Sequence, residues 1–425
     1  MSKIICTPVE RLPALQESER AFTLFKSARR EGIGTIAKGW RGSLKLKGYA
    51  PGAASWDFAQ FCLAACAADL SCLRQTSADG WTRTIELTIA LHEPLRWVAL
   101  KQDAEAMLKV LTGDYWKLNF IDGGTAPPDA KPKPGRPGKV DRDCVSLLSG
   151  GLDSLVGGID LVAAGRKPLF VSQLAFEDSD RQRRYASALG GGDFHCQWSH
   201  AISFSGKREP STRGRSLAFY AFAVLAASRV PGSPVDIFVP ENGFICVNPP
   251  LVPGRVASLS TRTTHPLFIE LLQKLLDGLG IEVRLQLPYR FKTKGEMLIG
   301  CQNQTLLSML ASDSTSCGRF RTNNRRHCGR CVPCMIRRSA FQAWGPGKDG
   351  TNYSFPSVIG SDKTSGPDDP MAAALAALTV RDRGLDRFLG ATLAFATPAD
   401  RPHYRRVLGA GVAELEALLV GDGLL

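Results

Sequence analysis

The segment Ser149-Gly150-Gly151-Leu152-Asp153-Ser154 dictates the local fold around it more tightly than any other stretch of the chain. The apolar run 144–148 precedes it and has the look of a buried strand, and 154–164 has helical spacing. A strand, a diglycine turn flanked by hydroxyls and a helix start together make an anion cradle. The turn exposes backbone N–H groups, glycine lets an oxyanion come close, and the helix dipole adds partial positive charge. The Walker spacing GxxxxGK[ST] is absent and no lysine follows the glycines, so this is a different phosphate loop. The plainer alternative is a glycine turn that only packs a helix on a strand. It gives no reason for Ser149, Asp153 and Ser154, which stand where phosphate and metal contacts are wanted.

Around this turn, strand and helix patterns alternate. Strands are predicted at 144–148, 169–173, 194–198, 236–240 and 282–287, and helices at 154–164, 179–189, 215–228 and 266–279. Such alternation predicts an α/β unit, a doubly wound parallel sheet whose ligands bind beyond the carboxyl ends of the strands. Residues 123–140 (GGTAPPDAKPKPGRPGKV) cannot bury a core and read as an extended linker. A weaker boundary lies at 345–369. The expected organisation is an α+β domain over 1–122, the linker 123–140, the doubly wound domain over 141–345 and a helical extension over 346–425. Within the first domain, 81–92 and 116–120 suggest strands and 55–68 a helix.

A chain of 425 residues exceeds one ordinary core, which fits several units. Its net charge of +13 favours anionic partners, a nucleotide, a nucleic acid or an acidic protein, although a basic surface without a specific partner fits equally well. No apolar run reaches the ~18 residues that a membrane span needs. The start, Met-Ser-Lys-Ile-Ile-Cys, has no secretory pattern, and 12 cysteines without one argue for thiols and metal rather than disulfides. A cytoplasmic protein is expected.

Four of those cysteines, Cys317, Cys328, Cys331 and Cys334, have the spacing C-x10-C-x2-C-x2-C. Two residues between ligands let one turn present two thiolates to one ion, and four soft sulfurs favour tetrahedral zinc. Arg319, Arg321, Arg325, Arg326 and Arg330 nearby favour deprotonated thiols. A closed four-sulfur site leaves no open coordination position, so its role is structural. An iron–sulfur cluster and redox-active CxxC thiols stay open as alternatives. Cys62 and Cys66, one helical turn apart, read as core.

The loop SGGLDS resembles the PP-loop of N-type ATP pyrophosphatases, which split ATP into AMP and pyrophosphate to activate an oxygen. Taken with Cys328-Gly329-Arg330-Cys331-Val332-Pro333-Cys334, followed by Arg337, Arg338 and Ala340-Phe341, the pair resembles the QueC (7-cyano-7-deazaguanine synthase) family over about 141–345. The whole chain looks more like the QueC-like proteins of bacterial antiphage gene clusters, of the QatC type. Glu241-Asn242-Gly243, the segment 259–266 (LSTRTTHP) and Thr293-Lys294-Gly295-Glu296-Met297 carry that likeness. The domains before and after are foreign to the small-molecule synthases and suggest chemistry on a macromolecule, or a partner protein from the same gene cluster held beside the site.

The resemblance implies a C–N ligase. A deazaguanine-type carboxylate attacks the α-phosphorus of ATP, pyrophosphate leaves, and an amine displaces AMP to give an amide, which the free synthase dehydrates to a nitrile. Positioning and neutralising the leaving pyrophosphate then dominate catalysis. Ser149, Gly150, Gly151, Leu152 and Ser154 are expected to hold phosphate oxygens, and Asp153 to help hold Mg²⁺, although an aspartate there also suits a helix start. Arg213 and Arg215, just before a helix, are candidate phosphate clamps, with a solvated surface as the alternative. Lys294 and Arg262 are further candidates. Glu241 and Asn242, after a predicted strand, are expected to read the base or bind metal, unless turn chemistry alone accounts for Asn-Gly. His265 is a candidate base, against a purely structural imidazole. Two other readings remain: a tRNA-modifying enzyme with the same loop, disfavoured by scattered basic residues, and a non-catalytic nucleotide-binding module.

Overall fold

The computed structural model describes residues 2–129, 139–174, 178–251, 262–359 and 369–425. Most of the linker expected at 123–140, the first residues of the 259–266 segment and part of the 345–369 boundary lie outside them. In chain order the strands are β1 (Ser2–Thr7), β2 (Glu19–Leu24), β3 (Gly34–Ile36), β4 (Thr84–Ala90), β5 (Tyr115–Ile121), β6 (Cys144–Leu147), β7 (Pro168–Gln173), β8 (His195–Trp198), β9 (Ile202–Ser203), β10 (Val235–Phe238) and β11 (Val283–Gln286). The helices before β6 are α1 (Trp40–Leu46), α2 (Ala53–Ser71), α3 (Pro94–Ala99) and α4 (Lys101–Thr112). Those woven through the second sheet are α5 (Leu152–Ala163), α6 (Ser179–Ala188), α7 (Leu217–Ala227), α8 (Gly243–Val247) and α9 (Pro266–Gly278). After it come α10 (Lys294–Ile299), α11 (Gln304–Leu310), α12 (Val332–Trp344), α13 (Asp369–Arg383), α14 (Leu385–Leu389) and α15 (Arg401–Gly421).

The protein is α/β. Its second sheet has the order β11-β10-β6-β7-β8 with every pair parallel. β6 and β7 are buried on both faces, which is why they are mostly apolar, with Ser146, Ser172 and Gln173 as buried exceptions. The connections run outward in both directions from β6, so the order reverses between β6 and β10. That reversal leaves a crevice beyond the carboxyl ends of these two strands. Alternate residues feed opposite cores. Leu148 and Phe170 pack with Leu155, Val156 and Tyr185 of α5 and α6, whereas Val145, Leu147 and Val171 pack with α7 and α9.

The first sheet corrects the α+β expectation for residues 1–122. Its order is β5-β4-β1-β2-β3-β9, and the five strands from the N-terminal region pair in parallel. Only β9, contributed by the chain just after β8, pairs antiparallel, making this sheet mixed. The two sheets share one core. α2 is buried on all sides because it lies between the first sheet and α7, and α4 packs on α9. The start of the expected linker is tied to this region, since Trp56 donates to Thr125 O (2.7 Å) and Arg41 to Ala126 O (2.8 Å). The C-terminal helices form a separate core in which Leu408, Val412, Leu415 and Leu419 of α15 meet Met335 and Ile336 of α12 and Phe244 of α8. No described helix is long and apolar enough to cross a membrane.

Candidate functional site

The diglycine turn leaves β6 and enters α5 with Gly151 at the N-cap. Gly150 has φ +88°, a left-handed conformation that a β-carbon would strain. No side chain caps the helix, so its first N–H groups lack a side-chain acceptor, and Gly151, Leu152, Asp153 and Ser154 of this first turn line a cavity. The two serines brace the turn. Ser149 N donates to Ser154 Oγ (3.2 Å), Ser154 Oγ donates to Gly151 O (2.9 Å), and Gly151 N donates to Ser149 Oγ (3.2 Å). From behind, the buried Gln182 donates to Ser149 O and Gln173 O (both 3.1 Å), and Thr315 N donates to Gly150 O (3.1 Å).

Asp153, in the first turn of α5, is buried and held from two elements. Asn242 donates to its Oδ2 through Nδ2 (2.7 Å) and through its backbone N (3.2 Å), while Lys294 of α10 binds Oδ1. The same Asn242 accepts from Ile245 N through Oδ1 (3.0 Å) and so caps α8, which fixes the direction of its amide. Lys294 is aimed by its own helix, whose start is locked by a capping box between Thr293 and Glu296. Glu414 of α15 accepts from the Thr293 hydroxyl, so the C-terminal helices buttress this lysine.

Glu241 lies at the end of β10, across the crevice from α5, and accepts a hydrogen bond from the Thr264 hydroxyl. Burial, reinforced by the nearby charge of Asp153, pushes its carboxyl up to about 7. Ser149, Gly151, Leu152, Asp153, Ser154, Glu241 and Lys294 all line one cavity of about 860 Å³, a size typical of small-molecule sites. Its other walls are mixed: Phe219, Tyr220, Phe244 and Pro249 supply apolar surface, and Asn248, Arg319 and Asp369 supply polar groups.

The four-cysteine element closes the far side, with Cys331 itself in the cavity wall. The sulfurs of Cys317, Cys328, Cys331 and Cys334 lie within 4.8 Å of one another, and this buried group can hold a metal ion. The pairs Cys317–Cys331 and Cys328–Cys334 are each 3.8 Å apart. A tetrahedron with metal–sulfur bonds of about 2.3 Å has an edge of about 3.8 Å, which these two pairs match. Backbone N–H groups of Arg319 and Cys328 point at Cys317 Sγ, and those of Arg330 and Cys331 at Cys328 Sγ, at 3.3–3.5 Å. They stabilise negative sulfur. The fully buried Arg337 donates to Ala311 O, Ser312 O and Ser314 Oγ and so fixes the segment that delivers Thr315 to Gly150 and Cys317 to the cluster.

Of the remaining residues singled out from the sequence, Arg319 lines the cavity, whereas Arg213, Arg215, Arg262 and His265 do not. Arg213 donates to Thr112 O (3.2 Å) and sits over the Trp81 ring, and burial lowers its affinity for a proton to about 10. Arg262 donates to Val110 O (3.2 Å), so both reach toward α4. Arg215 is exposed at the same end of the sheet, where its charge acts on His200. His265 caps α9, accepting from Leu267 N (3.3 Å), and packs edge-on against Phe395. Burial and Arg262 lower its pKa to about 4, so it is neutral near pH 7. Gln182, Thr315 and Glu414 were not anticipated, and Arg337 and Thr264 stood in the motifs quoted from the sequence without a role assigned to them. The sole available signal was that polar residues break apolar patterns at these points. Comparison of the chain with family models, with curated proteins and with solved structures returns no match.

Proposed function

We propose that this chain is an ATP-dependent C–N ligase of the PP-loop, QueC-like kind, with residues 141–345 as its catalytic domain. It adenylates a carboxylate on a 7-deazaguanine-type molecule, releases pyrophosphate and passes the acyl group to an amine. One observation carries the reading: the serine-braced diglycine turn opens at the reversal point of a parallel sheet, into a cavity that also holds Asp153, Lys294 and Glu241. A helix N-terminus with unsatisfied N–H groups suits a leaving pyrophosphate, and a buried lysine beside it suits a developing phosphate charge.

In this scheme a carboxylate oxygen attacks the α-phosphorus and the bond to the β-phosphate bridging oxygen breaks, its electron pair leaving with pyrophosphate. The turn N–H groups and the hydroxyls of Ser149 and Ser154 receive the β- and γ-oxygens, and Lys294 stands ready to move from Asp153 to phosphate. Mg²⁺ brought by ATP spreads charge over the phosphate oxygens, and Asp153 is the side chain suited to meet it. The apolar walls around Phe219, Tyr220 and Phe244 suit a planar base. Cys317, Cys328, Cys331 and Cys334 would hold zinc, which would contribute folding free energy and tether the segment that carries Thr315. The extra sheet and the C-terminal helices support an acceptor amine carried by a larger partner, in keeping with an antiphage role of the QatC type.

The test is a product assay on the purified full chain with ATP, Mg²⁺, a carboxylated 7-deazaguanine and ammonia. The reading expects AMP and pyrophosphate in equal amounts, and none of either from Asp153→Ala. Release of ADP and phosphate instead, or unchanged turnover by Asp153→Ala, would contradict it.

A further inference from the structure

We propose that Glu241 is the base of the amide-forming step, accepting the N–H proton of the amine as it attacks the acyl-adenylate; this rests on the adenylation reading above. The two carboxylates at the polar end of the cavity stand in opposite surroundings. Asp153 is compensated by a cation and two amide donors, from Lys294 and Asn242. Glu241 has one neutral donor, the Thr264 hydroxyl, on Oε2, and its other oxygen has no partner among the described residues. A carboxylate held by a cation serves charge, whereas a desolvated one with a free lone pair serves proton transfer.

Position agrees with this division. Glu241 stands just beyond β10 and Asp153 at the start of α5, so in this proposal an acyl-adenylate whose single remaining phosphate stays beside the loop has its carbonyl carbon on the β10 side of the cavity. The groups facing Glu241 come from every neighbouring element: Asp153 from α5, Lys294 from α10, Tyr220 from α7, Cys246 from α8 and Thr264 ahead of α9. Burial and Asp153 raise its proton affinity, Thr264 and Lys294 lower it, and the balance near 7 gives a base that is partly free at neutral pH yet basic enough to act. In the step itself the amine nitrogen bonds to the acyl carbon and the carbon–oxygen bond to AMP breaks. AMP departs with that electron pair, and the nitrogen's proton passes to the Glu241 carboxylate.

Two half-reactions separate this role from binding. Exchange of labelled pyrophosphate into ATP, with the carboxylate present and no amine, reports adenylation. Single-turnover amide formation with ammonia reports the second step. Glu241→Gln is expected to keep exchange within about threefold and to slow amide formation by about 10²–10⁴. It is also expected to lose the rise in amide-formation rate through pH 7, which Glu241→Asp should partly restore. Thr264→Val, a near-isosteric change, keeps the carboxylate and is expected to move that rise to higher pH. Equal losses in both half-reactions, or an unchanged pH profile in Glu241→Gln, would overturn the proposal. Absence of exchange in the unsubstituted chain would instead remove the adenylation reading, and this proposal with it.

Discussion

Asp153 and Lys294 form an ion pair whose side chains are 12% and 8% exposed, so each charge depends on the other for compensation. Removing one partner of such a buried pair costs about 3–5 kcal/mol, because the survivor is left desolvated. Lys294→Met keeps the aliphatic stem and leaves Asp153 with its two donors from Asn242, so about 3 kcal/mol is expected. Asp153→Asn keeps the shape but strands an ammonium with no anion, so about 4 kcal/mol is expected. The double variant buries no net charge and should cost about 4 kcal/mol rather than the sum of about 7, a coupling of about 3 kcal/mol. Urea unfolding followed by tryptophan fluorescence and by far-ultraviolet circular dichroism measures all three, and coincident transitions license the free energies. Losses additive to within about 0.5 kcal/mol would mean that the two side chains do not meet in solution.

Glu241 ties stability to pH with a definite sign. Its folded pKa of about 7 lies above the ordinary 4.5, so the folded chain holds a proton that the unfolded chain has released, and stability falls as pH rises through that window. Glu241→Gln should therefore gain on the parent by up to about 3 kcal/mol at pH 8, less whatever solvent screens, and show no such gain below pH 4; a pH-independent difference would refute the linkage. Cys331→Ser is expected to lose bound metal and to become insoluble, read by elemental analysis of the soluble fraction; a soluble, metal-free, active variant would contradict a structural site. Glu414→Ala removes the acceptor of the Thr293 hydroxyl at the start of the Lys294 helix. It should cost about 1–3 kcal/mol in urea unfolding and weaken nucleotide binding, whereas an unaltered nucleotide affinity would free Lys294 from the C-terminal helices.

The second sheet was legible because its central strands are buried on both faces, leaving short, mostly apolar runs bounded by glycine and proline, as at Cys144–Leu147. β1, β2 and β3 were not legible. They are short and mix Lys, Glu, Arg and Thr with apolar residues, and without β1 the parallel pairing of β4 cannot be inferred. The glycine turn and the four cysteines announced themselves through local spacing. The company Asp153 keeps did not, since Lys294 is 141 residues away and Asn242 is 89. Arg213 and Arg262 illustrate the converse. Each has the composition of a phosphate clamp, yet their carbonyl partners lie 101 and 152 residues earlier, on a helix absent from the sequence reading. Chemistry carried by adjacent residues is readable in a sequence, and chemistry assembled across a sheet is not.

The most direct test of the whole account is a crystal structure with Mg²⁺ and an ATP analogue whose α–β bridge cannot be cleaved. The account predicts β- and γ-phosphate oxygens within hydrogen-bond reach of the backbone N–H groups at residues 150–154, with Lys294 drawn from Asp153 onto phosphate. Nucleotide density elsewhere, with the diglycine turn empty, would contradict it.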